Sequence, residues 1–146
     1  MTAKTNLTGL YYSKIVKSLK YLEYSYNRTL KMPLKPAAMN DQELEAWDSF
    51  ASRFPRSSDI FLSKYIKAYL LKDDPAFDGS FRDQLNRAEK LGLIDKAETW
   101  LEIRELRNAT VHEYSDQDLE KIFEKFRKFT PLLLELPQRL KNETEF

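Results

Sequence analysis

The chain has 146 residues and a formal net charge of +1, with 24 Lys or Arg against 23 Asp or Glu. This length suits one domain with a substantial core, and we predict a single helical domain over residues 1–146. The absence of cysteine excludes disulfides and thiolate metal sites, and the balanced charge argues against a chain that binds nucleic acid through overall basicity.

Apolar periodicity predicts a first helix over about residues 8–31. Its apolar positions recur at steps of three and four residues: Tyr11, Ile15, Leu19, Leu22, Tyr26 and Leu30. Two prolines then predict a loop over Met32–Asn40. The first 31 residues, which include this helix, are basic. They contain one acidic residue, Glu23, against Lys4, Lys14, Lys17, Lys20, Arg28 and Lys31. This surface is either a phosphate-attracting face or the solvated side of an amphipathic helix.

A second helix is predicted to begin at an N-cap supplied by Asn40 or Asp41, with Glu43 favourably placed in its first turn. It should run to about Leu71 as one long helix. Pro55 lacks a backbone N–H, so we expect it to kink or split this helix. The predicted buried stripe consists of Leu44, Trp47, Phe50, Ala51 and Phe54, and then Ile60, Phe61, Tyr65, Ala68 and Leu71.

A connection over Lys72–Gly79 leads to a short helix near Ser80–Leu91, with Gly92 as the C′ residue. Asp95 should then cap a helix that runs to about Glu113. The apolar face of that helix is predicted to contain Trp100, Ile103, Leu106 and Thr110, with Tyr114 on the same side.

Ser115 or Asp116 should cap the last helix, which we expect Pro131 to bend and Pro137 to end. Its apolar stripe is Leu119, Ile122, Phe123, Phe126, Phe129 and Leu133. Long helices joined by short loops predict an all-α fold, namely an antiparallel up-and-down four-helix bundle with an additional short helix. No apolar run reaches the length of a membrane span and the N-terminus lacks a signal peptide's apolar region, so we expect a cytoplasmic protein with no membrane contact.

The only histidine, His112, follows Arg107 by five positions. Histidine can take and give a proton near neutral pH, and arginine is a natural partner of phosphate. On an ideal helix Arg104, Asn108 and His112 form one polar ridge, whereas Arg107 lies about 140° around the axis from His112. The two residues converge only if Arg107 reaches across a groove, the helix end distorts, or a second copy supplies the missing partner. This geometry favours a site built across a two-fold homodimer.

RNA cleavage by the neighbouring 2′-hydroxyl needs a base, an acid and a cation at the crowded phosphate. Two protomers would offer two copies of His112 and of Arg107, and Asn108 could hold an imidazole tautomer or donate to a phosphate oxygen. We therefore expect no metal and no cofactor. Each residue also has an ordinary structural interpretation, with His112 at a helix C-terminus, Arg107 paired to Glu102 or Glu113, and Tyr114 at the edge of the core.

Several segments together resemble the HepT-like proteins of the HEPN superfamily, also called nucleotidyltransferase substrate-binding proteins. The segments are Phe50–Phe54, Asn86–Ile94, Trp100–Asn108 and His112–Tyr114. The family signature is RxxxxHxY with a polar residue after the arginine. It is complete here in Arg107, Asn108, His112 and Tyr114. The resemblance covers most of the chain from about Glu43. Pro55 departs from it by interrupting a helix expected to be continuous in the family, and the N-terminal helix carries no family-specific motif.

The resemblance implies a homodimeric bundle that acts as the toxin of a type II toxin–antitoxin pair. Such a toxin is a metal-independent endoribonuclease, with Arg107 and His112 as the catalytic pair and Asn108 as the supporting polar residue. The implied partner is a minimal nucleotidyltransferase antitoxin that transfers AMP from ATP to the tyrosine, here Tyr114. We expect further RNA phosphate contacts from Arg53, Arg56 and Arg104.

Two alternatives stay open at this point. The chain could be a non-catalytic subunit that binds a nucleotide or substrate for a two-component nucleotidyltransferase, or a structural bundle with no site. It is not itself expected to be the transferase, because glycines occur only at positions 9, 79 and 92 and form no phosphate-cradling loop.

Overall fold

The computed structural model describes residues 6–108 and 114–143, and every regular element within these ranges is helical. The α-helices are α1 (Leu7–Thr29), α2 (Asp41–Asp59), α3 (Ile66–Asp73), α4 (Phe81–Lys90), α5 (Ala97–Glu105), α6 (Asp116–Leu134) and α7 (Leu136–Leu140). A π-helical segment, Ile60–Tyr65, joins α2 to α3, and the 3₁₀ turns are Pro36–Ala38, Leu106–Asn108 and Lys141–Glu143. α1, α2 and α6 pack against one another, and α5 packs against α2. The predicted all-α bundle is confirmed. Among the described helices, none is both long and apolar enough to cross a membrane.

The predicted start of α2 is confirmed, and it takes the form of a capping box. The Asn40 side chain accepts the backbone N–H of Glu43 at 2.8 Å, and the Glu43 carboxylate accepts the backbone N–H of Asn40 at 3.0 Å. α1 also matches its predicted span closely, with Ile15, Leu19 and Leu22 buried. Leu30 was wrongly assigned to its buried stripe. It follows the last residue of α1 and is 43% exposed.

The predicted long second helix is continuous, but its irregularity does not lie at Pro55. α2 continues through Pro55 to Asp59, because a proline removes only one donor and the flanking hydrogen bonds hold the helix. The hydrogen-bonding pattern changes at Ile60, where the π segment begins. There the N–H of Ile66 reaches the carbonyl of Phe61, five residues earlier. The run ends at Asp73, slightly beyond the predicted end.

Gly92 is the C′ residue of α4, as predicted, with a φ of +79°. The N–H of Leu93 donates to the carbonyl of Ala88 at 2.9 Å, which closes a Schellman motif. The predicted cap of α5 was wrong. The carboxylate of Glu89 accepts the N–H of Ala97 at 2.7 Å, while Asp95 is bound by Arg139 at 2.8 Å. That hydrogen bond from Arg139 holds the pKa of the Asp95 carboxyl below its usual value.

α6 begins as predicted, with the Ser115 hydroxyl accepting the backbone N–H of Asp118 at 3.2 Å. Pro131 lies inside α6, which ends at Leu134. Pro137 does not end this helix. It lies in the first turn of α7, where a residue without an N–H loses no intrahelical bond.

The core is organised around aromatic rings shared by α2 and α6, which we call the aromatic seam. The Trp47 and Phe123 rings are stacked with centroids 4.4 Å apart, and Phe126 lies 5.6 Å from Phe50 and 5.0 Å from Phe54. All five residues are buried, so their predicted place in the apolar stripes of these two helices is confirmed. The seam holds α2 and α6 in a fixed relation on which the candidate site depends.

Candidate functional site

The signature arginine lies where α5 tightens and ends. The N–H of Leu106 reaches the carbonyl of Ile103, three residues back, and Leu106–Asn108 continues as a 3₁₀ turn. This helix was predicted to run to about Glu113, but its α-helical part ends at Glu105. A tighter turn moves Arg107 and Asn108 away from their ideal α-helical positions. A distorted helix end was one of the three arrangements that would let Arg107 approach His112. The 3₁₀ turn is such a distortion at Arg107.

Arg107 faces Asp59, the last residue of α2. Its Nη1 atom lies 3.9 Å from Asp59 Oδ1, and the two side chains are 34% and 42% exposed. Among the residues that the structure describes, Asp59 Oδ1 has no hydrogen-bond partner although the atom itself is buried. An ion pair of this length and exposure contributes little to stability. The Asp59 carboxylate thus orients Arg107 but binds it only weakly.

A groove beside the 3₁₀ turn is lined by a second arginine, Arg104, as well as by Arg107. It is lined by Phe81, Leu101, Arg104, Glu105 and Arg107. The Arg104 guanidinium lies over the Phe81 ring, with Cζ 3.8 Å from the ring centroid. This cation–π contact holds the charged end of Arg104 against the Phe81 ring, and both residues line the groove. Arg104 and Arg107 place two cations in this lining against the one carboxylate of Glu105, and the positive excess suits an anion such as phosphate.

The other two predicted phosphate ligands lie on α2, along the chain before Asp59. Arg53 is half-buried, and its Nη1 atom donates to the Tyr21 carbonyl at 3.2 Å and to Ser25 Oγ at 2.9 Å. Arg56 is exposed. Arg53 therefore joins α2 to α1, and Arg56 is the residue of the two whose side chain is open to solvent.

Tyr114 lies one residue before the N-cap of α6 and is 39% exposed. Tyr114 was predicted to lie on the same side as the apolar face of α5. It does not continue that face, because α5 ends at Glu105. Its exposure leaves the phenol accessible from solvent. Thr110, His112 and Glu113 lie outside the described residues, as does the side chain of Asn108, whose backbone ends the 3₁₀ turn.

One structural interpretation of Arg107 was wrong, since Glu102 does not pair with it. The Glu102 carboxylate instead lies 3.3 Å from Lys125 Nζ on α6. Asp59 is the partner that sequence analysis missed, and no local pattern could have found it because the pairing joins α2 to the end of α5. Within the described ranges, no group of three or more His, Cys, Asp or Glu side chains is arranged to hold a metal ion.

Comparison with known protein families shows which family the chain belongs to. Residues 11–142 match the family described as nucleotidyltransferase substrate binding protein like. The chain belongs to this family. The match covers α1 in most of its length and every later element up to the final turn, so membership applies to the whole described bundle. Searches of curated proteins and of solved structures give no match.

The weak anchoring of Arg107 can be measured by a double-mutant cycle of Asp59→Asn and Arg107→Gln in urea unfolding. We expect a coupling free energy below about 1 kcal/mol, because the pair is long and partly exposed. As a control, Arg127→Gln removes a guanidinium that donates to the carbonyls of Thr29 and Met32, and should cost at least about 1.5 kcal/mol. A coupling above about 2 kcal/mol between Asp59 and Arg107 would instead make Arg107 a structural residue.

Proposed function

We propose that this protein is the toxin of a type II toxin–antitoxin pair, an endoribonuclease of the HEPN type whose antitoxin is a nucleotidyltransferase. The observation that carries the proposal is the position of Arg107. Its partly exposed guanidinium stands at a groove, and within the described residues one long ion pair holds it. Arg107 lies on the segment that leads through the only histidine of the sequence to the exposed Tyr114. Family membership supports the association with a nucleotidyltransferase.

The proposed reaction is attack by the RNA 2′-hydroxyl on its own 3′-phosphate. The 2′-oxygen forms a bond to phosphorus as its proton passes to the imidazole of one His112, and the bond from phosphorus to the 5′-oxygen breaks. The leaving 5′-oxygen takes a proton from the second His112. The products are a 2′,3′-cyclic phosphate and a 5′-hydroxyl end. Arg107 would stabilise the negative charge on the phosphorane oxygens, with Asn108 as a supporting polar group.

The reaction requires two protomers, because each chain contributes only one imidazole. In a two-fold dimer the same turn from each copy would face its counterpart, giving one base, one acid and two guanidinium groups around a single phosphate. Arg104 extends this positive surface along the groove. The base, the acid and the cations of this reaction would all be side chains of the two protomers.

The proposed antitoxin acts on Tyr114. The phenol oxygen would attack the α-phosphorus of ATP bound by the nucleotidyltransferase, with loss of its proton to solvent and release of pyrophosphate. The product, an AMP ester of tyrosine, adds a bulky anion close to His112 in the sequence. This anion would occupy the phosphate site and repel RNA. The exposure of Tyr114 supports this access.

A second function has its own support in the family description, which names substrate binding. In that case the chain would be a non-catalytic subunit that presents a nucleotide or an acceptor to the nucleotidyltransferase. The groove with Arg104 and Arg107 would then hold a phosphate without cutting it. The two functions differ in whether RNA is cleaved by the chain alone.

The nuclease can be tested with purified protein and a 5′-labelled single-stranded RNA in buffer with EDTA. His112→Ala and Arg107→Ala should each lower the cleavage rate at least about 100-fold, because each removes a group that acts on the transferring proton or the phosphate. Arg82→Ala is the matched control. Its guanidinium is exposed and paired to Glu98 at 2.7 Å, so its cleavage rate should stay within about twofold of the unaltered protein.

Cleavage by His112→Ala at the unaltered rate would exclude the proposed chemistry. Binding of nucleotide by a dimer that leaves RNA intact, with Arg107→Ala unchanged in behaviour, would favour the substrate-binding subunit.

Modification of Tyr114 can be followed by intact mass after incubation with the partner nucleotidyltransferase and ATP. We expect a gain of one adenylyl group that is absent in Tyr114→Phe. Tyr24→Phe should keep the gain, although Tyr24 is 61% exposed and is thus the more accessible phenol of the two. A gain that persists in Tyr114→Phe, or no gain in any variant, would contradict the proposal.

A further inference from the structure

α1 carries a row of exposed side chains in which cations flank two tyrosines. The row, which we call the α1 stripe, consists of Lys14, Lys17, Tyr21, Tyr24 and Arg28. Steps of four and three residues alternate along it, so all five side chains lie on one face of the helix. From first to last the stripe is about 21 Å long, at 1.5 Å per residue.

The tyrosines of the α1 stripe are unusually open for side chains of their size. Tyr21 is 50% exposed and Tyr24 is 61% exposed. Arg53 reaches them from α2, with its Cζ atom 5.8 Å from the centroid of each ring. The hydrogen bonds from Arg53 to the Tyr21 carbonyl and to Ser25 fix this guanidinium in place. Two exposed aromatic rings therefore lie beside a guanidinium whose position is fixed.

The charge of α1 determines which partner suits this surface. Glu23 is the only acidic residue of the helix, against four Lys or Arg (Lys14, Lys17, Lys20 and Arg28). A second copy of the stripe would bring like charges together, which argues against self-association through this face. Phosphates complement the cations, and unpaired bases complement the open ring faces. Single-stranded nucleic acid combines both groups, whereas a duplex keeps its base faces stacked inside.

The α1 stripe is connected to the candidate site through α2. Arg53, Arg56 and Asp59 follow one another at three-residue steps, and Asp59 pairs with Arg107. Arg53 and Asp59 are six positions apart, which corresponds to about 9 Å of helix axis. A strand on the stripe would therefore be close to the arginines at the end of α5.

We propose that the α1 stripe, together with Arg53, binds single-stranded RNA and leads it toward the turn that carries Arg107. The inference deepens the proposed function and rests on it for RNA as the substrate. Lys14, Lys17 and Arg28 contact phosphates, and Tyr21 and Tyr24 stack on bases.

The test uses a fluorescein-labelled, 12-nucleotide 2′-O-methyl oligouridine, which lacks the attacking hydroxyl and so separates binding from cleavage. Affinity is measured by fluorescence anisotropy over a series of KCl concentrations. The triple variant Lys14→Gln, Lys17→Gln, Arg28→Gln should bind at least about tenfold more weakly at low salt. The slope of log affinity against log salt should become shallower by about 2, since three phosphate contacts on a single strand are lost.

The tyrosines are tested separately from the charges. Tyr21→Ala with Tyr24→Ala should weaken binding by at least about tenfold with an unchanged salt slope, and the corresponding Phe pair should restore it because stacking needs only the ring. The matched control is Lys72→Gln, Lys90→Gln, Lys121→Gln, which removes the same charge from exposed positions on α3, α4 and α6. We expect this control to bind like the unaltered protein.

Equal losses in the stripe and control triples would overturn the proposal, as would unchanged RNA affinity in both stripe variants. Unchanged RNA affinity with a shifted monomer–dimer equilibrium in sedimentation would show that the face is a protein interface. The outcome is independent of cleavage. A chain that binds through the stripe without cutting unmodified RNA overturns only the nuclease, and one that cuts RNA while stripe variants bind normally overturns only the stripe.

Discussion

The rings that α2 and α6 bury between them fix the relation of the two helices, and the candidate site is built on both. Trp47 stacks on Phe123, and Phe54 lies against Phe126, so neither helix can slide without breaking close ring contacts. α6 begins immediately after Tyr114 and Ser115, and the 3₁₀ turn at the end of α5 packs against α2. Both ends of the segment that contains the histidine are therefore held by elements of one core.

α2 also distributes the charges. Its buried face supplies the aromatic seam, while other faces carry Arg53 toward α1, Arg56 toward solvent and Asp59 toward Arg107. Arg107 is oriented by a carboxylate at 3.9 Å, and Arg104 is braced by the Phe81 ring. Two guanidinium groups therefore line a groove with no close ion pair to another described residue. Weakly satisfied cations on a rigid frame are suited to bind an anion, because little has to be broken when it arrives.

Local rules predicted much of this fold. Asn40 and Ser115 cap helices because each side chain satisfies an orphan N–H within its own turn, and Gly92 ends α4 because it can take a positive φ. Contacts between distant segments were not predictable in this way. Asp59 meets Arg107, and Glu89 replaces Asp95 at the start of α5, only because the bundle brings those helices together. Pro137 follows a local rule instead, since it lies in the first turn of α7, where a proline loses no intrahelical hydrogen bond.

The RNA cleavage proposed for Arg107 and His112 determines which chemical groups end the two fragments. Mass spectrometry of the fragments cut by the purified chain identifies both new ends. Attack by the 2′-hydroxyl, as the account requires, predicts a 2′,3′-cyclic phosphate or its monophosphate hydrolysis product on one fragment and a 5′-hydroxyl on the other. Fragments ending in a 3′-hydroxyl and a 5′-phosphate would contradict it, because they arise when water, and not the RNA itself, attacks the phosphate.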